Sequence, residues 1–146
     1  MFTGDTFGLS YRELDVDGRP AVFPSTTPVQ FDPPALHASI DRLLARNPGA
    51  VYVTHFGQVR DAQRCGEDLH RLIEAHASLG LEAERDGVAG EQRSQQLRDG
   101  VRRIVLAEAQ RQRWPLDEPA LLALFDLDIR LNAAGLEAWL DARASA

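Results

Sequence analysis

A carboxylate and an imidazole set at strand ends are the side chains of this sequence best suited to chemistry: Asp5 in Gly4-Asp5-Thr6 and His55 in Thr54-His55-Phe56-Gly57. Oxygen and nitrogen donors of these types bind divalent cations. A hydrolytic metal pair needs them fixed at one edge of a sheet, with one face open to water and substrate. An aspartate can bridge two cations and offset their repulsion, while a histidine binds through one ring nitrogen and donates from the other to a neighbouring acceptor. Gly4 lets the backbone pass close to a metal, and Gly57 relieves crowding just after the histidine. Thr6, Phe7, Tyr11 and Phe56 flank the two ligands and are the candidates for substrate contact at the rim. Packing is the competing role for Phe7 and Phe56, and an exposed hairpin position for Tyr11.

The elements that must position these residues occupy the first sixty positions. Residues 11–24 carry a turn signal at Asp17-Gly18, flanked by Leu14 and Val16 on one side and Ala21, Val22 and Phe23 on the other. That dipeptide suits a tight hairpin, whose two central residues both need positive φ. Asp32 can cap a helix that opens with Pro33 and carries Leu36, Ile40, Leu43 and Leu44 on one stripe. Asn47-Pro48-Gly49 stops it. The run Ala50-Val51-Tyr52-Val53-Thr54 is short, apolar and β-branched, as befits a buried strand with His55 at its end.

Taken together, Gly4-Asp5-Thr6, the proline-rich Phe23-Pro24-Ser25-Thr26-Thr27-Pro28, a helix, a buried strand and Thr54-His55-Phe56-Gly57 follow the order of the last two ligand motifs of a metallo-β-lactamase-fold hydrolase. The resemblance covers residues 1–57. It implies that Asp5 bridges two metal ions and that His55 completes the second ion's shell, with zinc as the default metal and iron or manganese as alternatives. The superfamily's His-X-His-X-Asp-His motif, and the further histidine between it and Gly-Asp, would fall before Met1. The resemblance therefore implies an α+β fold in which residues 1–60 are part of the second half of an αββα metallo-β-lactamase sandwich and residues 61–146 are a helical C-terminal extension. It also implies a C-terminal fragment of a metal-dependent hydrolase that is inactive alone, and a small-molecule substrate for the complete enzyme.

The remaining histidines do not fill the gap by spacing. His37 shares a helix edge with Asp41, and His70 and His76, six apart on a helix, point to different faces. Beyond Gly57 the pattern is helical. One helix is expected over residues 61–79 with Gly80 as its stop. A second carries Leu97, Val101, Ile104, Val105 and Glu108 and ends before Trp114-Pro115. A third starts near Asp117 and has a kink at Gly135. The third is apolar around too much of its surface to be one-sided, so it packs between other elements or in a subunit contact. This opens a reading of another class, a non-catalytic helical interaction or dimerisation module, with a homodimer through the extension as its partner. The arginines at positions 93, 98, 102, 103, 111 and 113 are interspersed with Glu91, Asp99 and Glu108. The whole chain has a net charge of −6, which argues against nucleic acid as a partner. A lone Cys65 rules out an internal disulfide and favours a reducing compartment. No leader pattern or membrane-length apolar run is visible, so the expected location is cytoplasmic, with no membrane partner.

Overall fold

The structure is a computed structural model, described for residues 1–26, 31–55 and 57–145. It is an α+β protein built from a three-stranded mixed sheet and five α-helices. Strand β1 spans Phe2–Leu9, followed by a short 3-10 turn at Arg12–Leu14. Helix α1 (Pro33–Leu44), β2 (Val51–His55) and β3 (Gly57–Val59) come next. Helices α2 (Ala62–Asp86), α3 (Gly90–Gln112), α4 (Glu118–Leu124) and α5 (Asp126–Ala144) complete the chain. β1 runs parallel to β2, and β3 returns antiparallel on β2's other side. Val51 and Val53 of β2 are buried, whereas Tyr52 between them and Thr54 after them are exposed. That alternation covers one face of the strand and leaves the other to solvent. Phe2 and Tyr52 meet on the open face, their rings tilted by 33° with centroids 5.2 Å apart.

One contiguous core joins the sheet to the helical extension, from Phe7, Leu9 and Phe23 through Ile40, Leu69 and Ile73 to Leu97, Phe125 and Leu136. α1 begins as expected. Asp32 accepts a hydrogen bond from Ala35 N at 3.0 Å, and prolines occupy its first turn. The Asp17-Gly18 turn also forms, with φ of 51° and 74° and reciprocal Val16–Arg19 backbone bonds of 3.1 and 2.9 Å. The hairpin does not extend from it. Leu14 lies in the 3-10 turn, and Phe23 instead exchanges backbone hydrogen bonds with Leu9 of β1 at 2.9 and 3.0 Å.

Two helix boundaries differ from the spacing. α2 runs through Gly80 to Asp86, because that glycine is a packing position. A Cβ there would come 2.9 Å from the Trp139 ring of α5. The expected third helix is two helices that break at Phe125 (φ −91°, ψ 4°) rather than bend at Gly135. Phe125 is fully buried among the rings of Tyr11, Phe23 and Trp114, with centroids 5.4, 5.1 and 5.8 Å away. Gly135 instead lets α5 approach the chain at Thr26, whose carbonyl oxygen would be 2.1 Å from a Cβ.

Candidate functional site

Asp5 is not at the end of β1 but in an interruption of it. Gly4 is in register with Val53 and Leu9 with His55, so residues 5–8 of β1 stand against Thr54 alone. The excess chain is accommodated by positive φ at Gly4 (55°) and Gly8 (67°), which brackets a wide bulge of the kind that re-aims side chains. Gly8 is doubly constrained, since a Cβ would also fall 2.2 Å from the Phe23 carbonyl oxygen.

Asp5 Oδ1 comes within 3.8 Å of His55 Nε2, and the two side chains are 48% and 52% exposed. The structure therefore brings together the two residues singled out as metal ligands, on neighbouring parallel strands and open to solvent. Asp5 and Thr6 also line an open cleft of ≈ 390 Å³, together with Ser25, Asp32 and Ser39. Thr6 is thus placed where a molecule beside Asp5 would be touched. Phe7 is not: its side chain is fully buried in the core, which is the packing role weighed for it. Phe56 lies outside the described residues.

Tyr11 is not the exposed hairpin residue its position suggested. Its hydroxyl donates to Asp128 Oδ2 at 2.7 Å, linking β1's end to α5 across 117 residues of sequence. Burial, reinforced by the Asp128 hydrogen bond and charge, holds the phenol well above its ordinary range and so protonated. Burial likewise raises the Asp128 carboxyl, while the Tyr11 hydrogen bond and the charge of His55 pull it back down. Asp128 is thus a third charged group in the field of His55, and sequence reasoning missed it. The available signal was weak: Asp126 and Asp128 read as ordinary acidic residues of a helix's first turn.

A carboxylate and an imidazole, both half exposed and aimed at one another, fit two positions of a zinc-type shell. Among the described residues, no three His, Cys, Asp or Glu side chains are grouped so as to hold a metal ion. Elsewhere, α3's arginines meet carboxylates: Arg93 pairs with Asp141 at 2.8 Å, Arg98 with Glu91 at 2.5 Å and Arg102 with Asp99 at 3.5 Å. No helix among the described residues is long and apolar enough to cross a membrane. Fold and site define an α+β protein with a solvent-facing Asp–His pair at a strand bulge. No family model, curated protein or solved structure matches the chain.

Proposed function

We propose that the chain is the C-terminal part of a metal-dependent hydrolase of the metallo-β-lactamase superfamily. In this reading residues 1–60 are part of the second half of its αββα sandwich, and Asp5 and His55 hold metal. The observation that carries the reading is the convergence of Asp5 and His55 to 3.8 Å on an open face, beside a cleft walled by Thr6 and Ser25. Zinc is the expected ion, with iron or manganese suited to the same donors; when bound, such an ion polarises a substrate oxygen and makes water a nucleophile near neutral pH. Asp5 supplies the anionic ligand and His55 the neutral one. Thr6 offers a hydroxyl to a small-molecule substrate in the cleft, and Tyr11 fixes the Asp128 carboxylate whose charge acts on His55. A catalytic zinc usually has three protein ligands, so two donors leave this chain without turnover by itself.

Manganese titration followed by amide NMR tests this. Paramagnetic broadening is expected first at residues 4–6 and 54–55, and Asp5→Ala is expected to abolish it. Broadening that ignores this substitution, or spreads evenly over the acidic surface, rejects the reading.

A second reading, a non-catalytic helical interaction or dimerisation module, is favoured by Leu127 and Leu131. They lie one turn apart on α5 and are 57% and 44% exposed. Sedimentation equilibrium decides it. A dimer dissociated by Leu127→Glu supports a homodimer through the extension, and a monomer at every concentration removes it.

A further inference from the structure

Two histidines that the spacing left on unrelated helix edges meet across the contact between α1 and α2. His37 Nδ1 lies 2.5 Å from His70 Nδ1, and the two rings meet edge to edge, with centroids 4.8 Å apart and an interplanar angle of 22°. Each outer nitrogen faces a carboxylate from the opposite helix. His37 Nε2 is 2.8 Å from Glu74 Oε1, and His70 Nε2 is 3.0 Å from Asp41 Oδ1. On both helices the histidine and the acid are four residues apart, hence one above the other, and the two pairs interlock crosswise.

Hydrogen bonding assigns the tautomers. An ionised carboxylate only accepts, so both Nε2 atoms carry hydrogen and donate. A neutral imidazole of that tautomer presents a lone pair at Nδ1. Two lone pairs then face each other at less than an ordinary hydrogen-bond separation, a repulsion that a proton or a cation between them relieves. Charge counting indicates which. Two carboxylates and two neutral imidazoles leave the cluster two negative charges; a shared proton cancels one, and a divalent cation cancels both. Imidazoles whose outer N–H is held by a carboxylate are the arrangement that orients histidine metal ligands, and imidazole suits zinc, copper and nickel. The histidine side chains are 22% and 28% exposed, and His37 and Glu74 line an open cleft of ≈ 580 Å³ beside Trp139, so water can reach the remaining coordination positions.

We propose that His37 and His70 form a transition-metal site with Asp41 and Glu74 as its orienting carboxylates, taking zinc or a similar divalent ion and clamping α1 to α2. It is built on other elements than Asp5 and His55 and does not depend on the hydrolase reading. Zinc–nitrogen bonds of about 2.0–2.1 Å put tetrahedral neighbours roughly 3.3 Å apart, so binding needs the Nδ1 atoms to part by just under about 1 Å and the rings to tilt toward one shared point.

Zinc titration of the full chain by calorimetry, repeated with cobalt(II) and its visible absorption, is the test. One ion is expected to bind both the wild type and the Asp5→Ala/His55→Ala double variant at this site, and its binding is lost in His37→Gln and in His70→Gln. Asp41→Asn or Glu74→Gln is expected to weaken affinity by about 10- to 100-fold. The last two positions are largely exposed, so these variants keep the test open should a histidine variant fail to fold, which circular dichroism reads directly. Zinc binding untouched by all four substitutions overturns the proposal. So does a wild type that takes up no zinc here while its imidazole ¹⁵N spectrum shows one hydrogen shared between the two Nδ1 atoms.

Discussion

Asp5 sits on a bulge that costs backbone freedom and holds its carboxylate half exposed beside His55, and the two aspects can be separated by substitution. Its partner His55 is 3.8 Å away and both side chains are about half exposed, so their mutual attraction is weak in water. Asp5→Ala is therefore expected to shift unfolding free energy by less than about 0.5 kcal/mol in urea titration, even though it removes the carboxylate proposed to hold metal. Gly8→Ala is the contrasting case. Its φ of 67° penalises any side chain, and the Cβ would sit 2.2 Å from the Phe23 carbonyl oxygen, breaking the Leu9–Phe23 bridge. Strain and overpacking together are expected to cost about 3 kcal/mol or more, read as a lower urea midpoint. A larger loss in Asp5→Ala than in Gly8→Ala would show that the bulge is held by the Asp5 side chain and not by its glycines. Cys65 belongs to the same scale. Burial pushes its thiol up to about 12, partly opposed by Arg64, so a thiol reagent at pH 8 is expected to modify it only when the protein is denatured.

Elements are tied by ion pairs that the sequence displays only as a helical charge pattern. Arg71 of α2 donates to both oxygens of Glu108 on α3, at 2.6 and 2.8 Å, and also to Asp68 at 2.9 Å. Glu108 is 3% exposed and takes a further bond from Gln112 at 2.9 Å. Removing one partner leaves a buried charge, so Arg71→Ala is expected to destabilise by about 3 kcal/mol or more, whereas replacing both with Arg71→Met and Glu108→Leu costs much less. Thermal melts of the three proteins check this. Glu108 shows why legibility was uneven. Its place on the apolar stripe of α3 was visible in the spacing, but its partner thirty-seven residues away was not. Local signals gave the Asp32 cap, the Asp17-Gly18 turn and the β2 strand. Long-range packing decided what they could not: that Gly80 and Gly135 are contact points for Trp139 and Thr26, and that Phe125 breaks a helix to enter the core. Asp5 and His55 were nameable from their motifs. The Tyr11–Asp128 bond and the crossing of His37 with His70 depend on how separate helices dock, and no local pattern encodes that.

The molecule as a whole is held at a buried polar knot where α2, α5 and the chain leading to α1 meet. His76 is fully buried, with its ring 5.4 Å from that of Phe23. Its Nδ1–H donates to the Leu72 carbonyl at 2.8 Å, and its Nε2 faces the Asn132 amide at 3.5 Å. Asn132 also donates to Pro24 O at 3.0 Å and accepts from Thr26 N at 2.8 Å, so one side chain closes the helical extension onto the first sixty residues. The neutral imidazole suits this place. Burial pushes its pKa down to about 4, against a smaller raising by the Leu72 hydrogen bond. The unfolded chain takes up that proton near pH 6.5, the folded chain only near 4, so acid favours unfolding across this interval. The stability His76 contributes is complete above about pH 6.5 and is lost as pH falls toward 4, a change on the order of 3 kcal/mol. Asp128 works the other way. A carboxyl raised in the fold gains protons there first and so resists acid unfolding, which offsets part of the loss that His76 causes. Urea midpoints measured every half unit between pH 7 and 4 are expected to fall steeply in the wild type. In His76→Gln they are expected to start lower and stay flatter. Parallel curves for the two proteins would place the acid sensitivity elsewhere and remove His76 as the group whose charging opens the junction between sheet and helices.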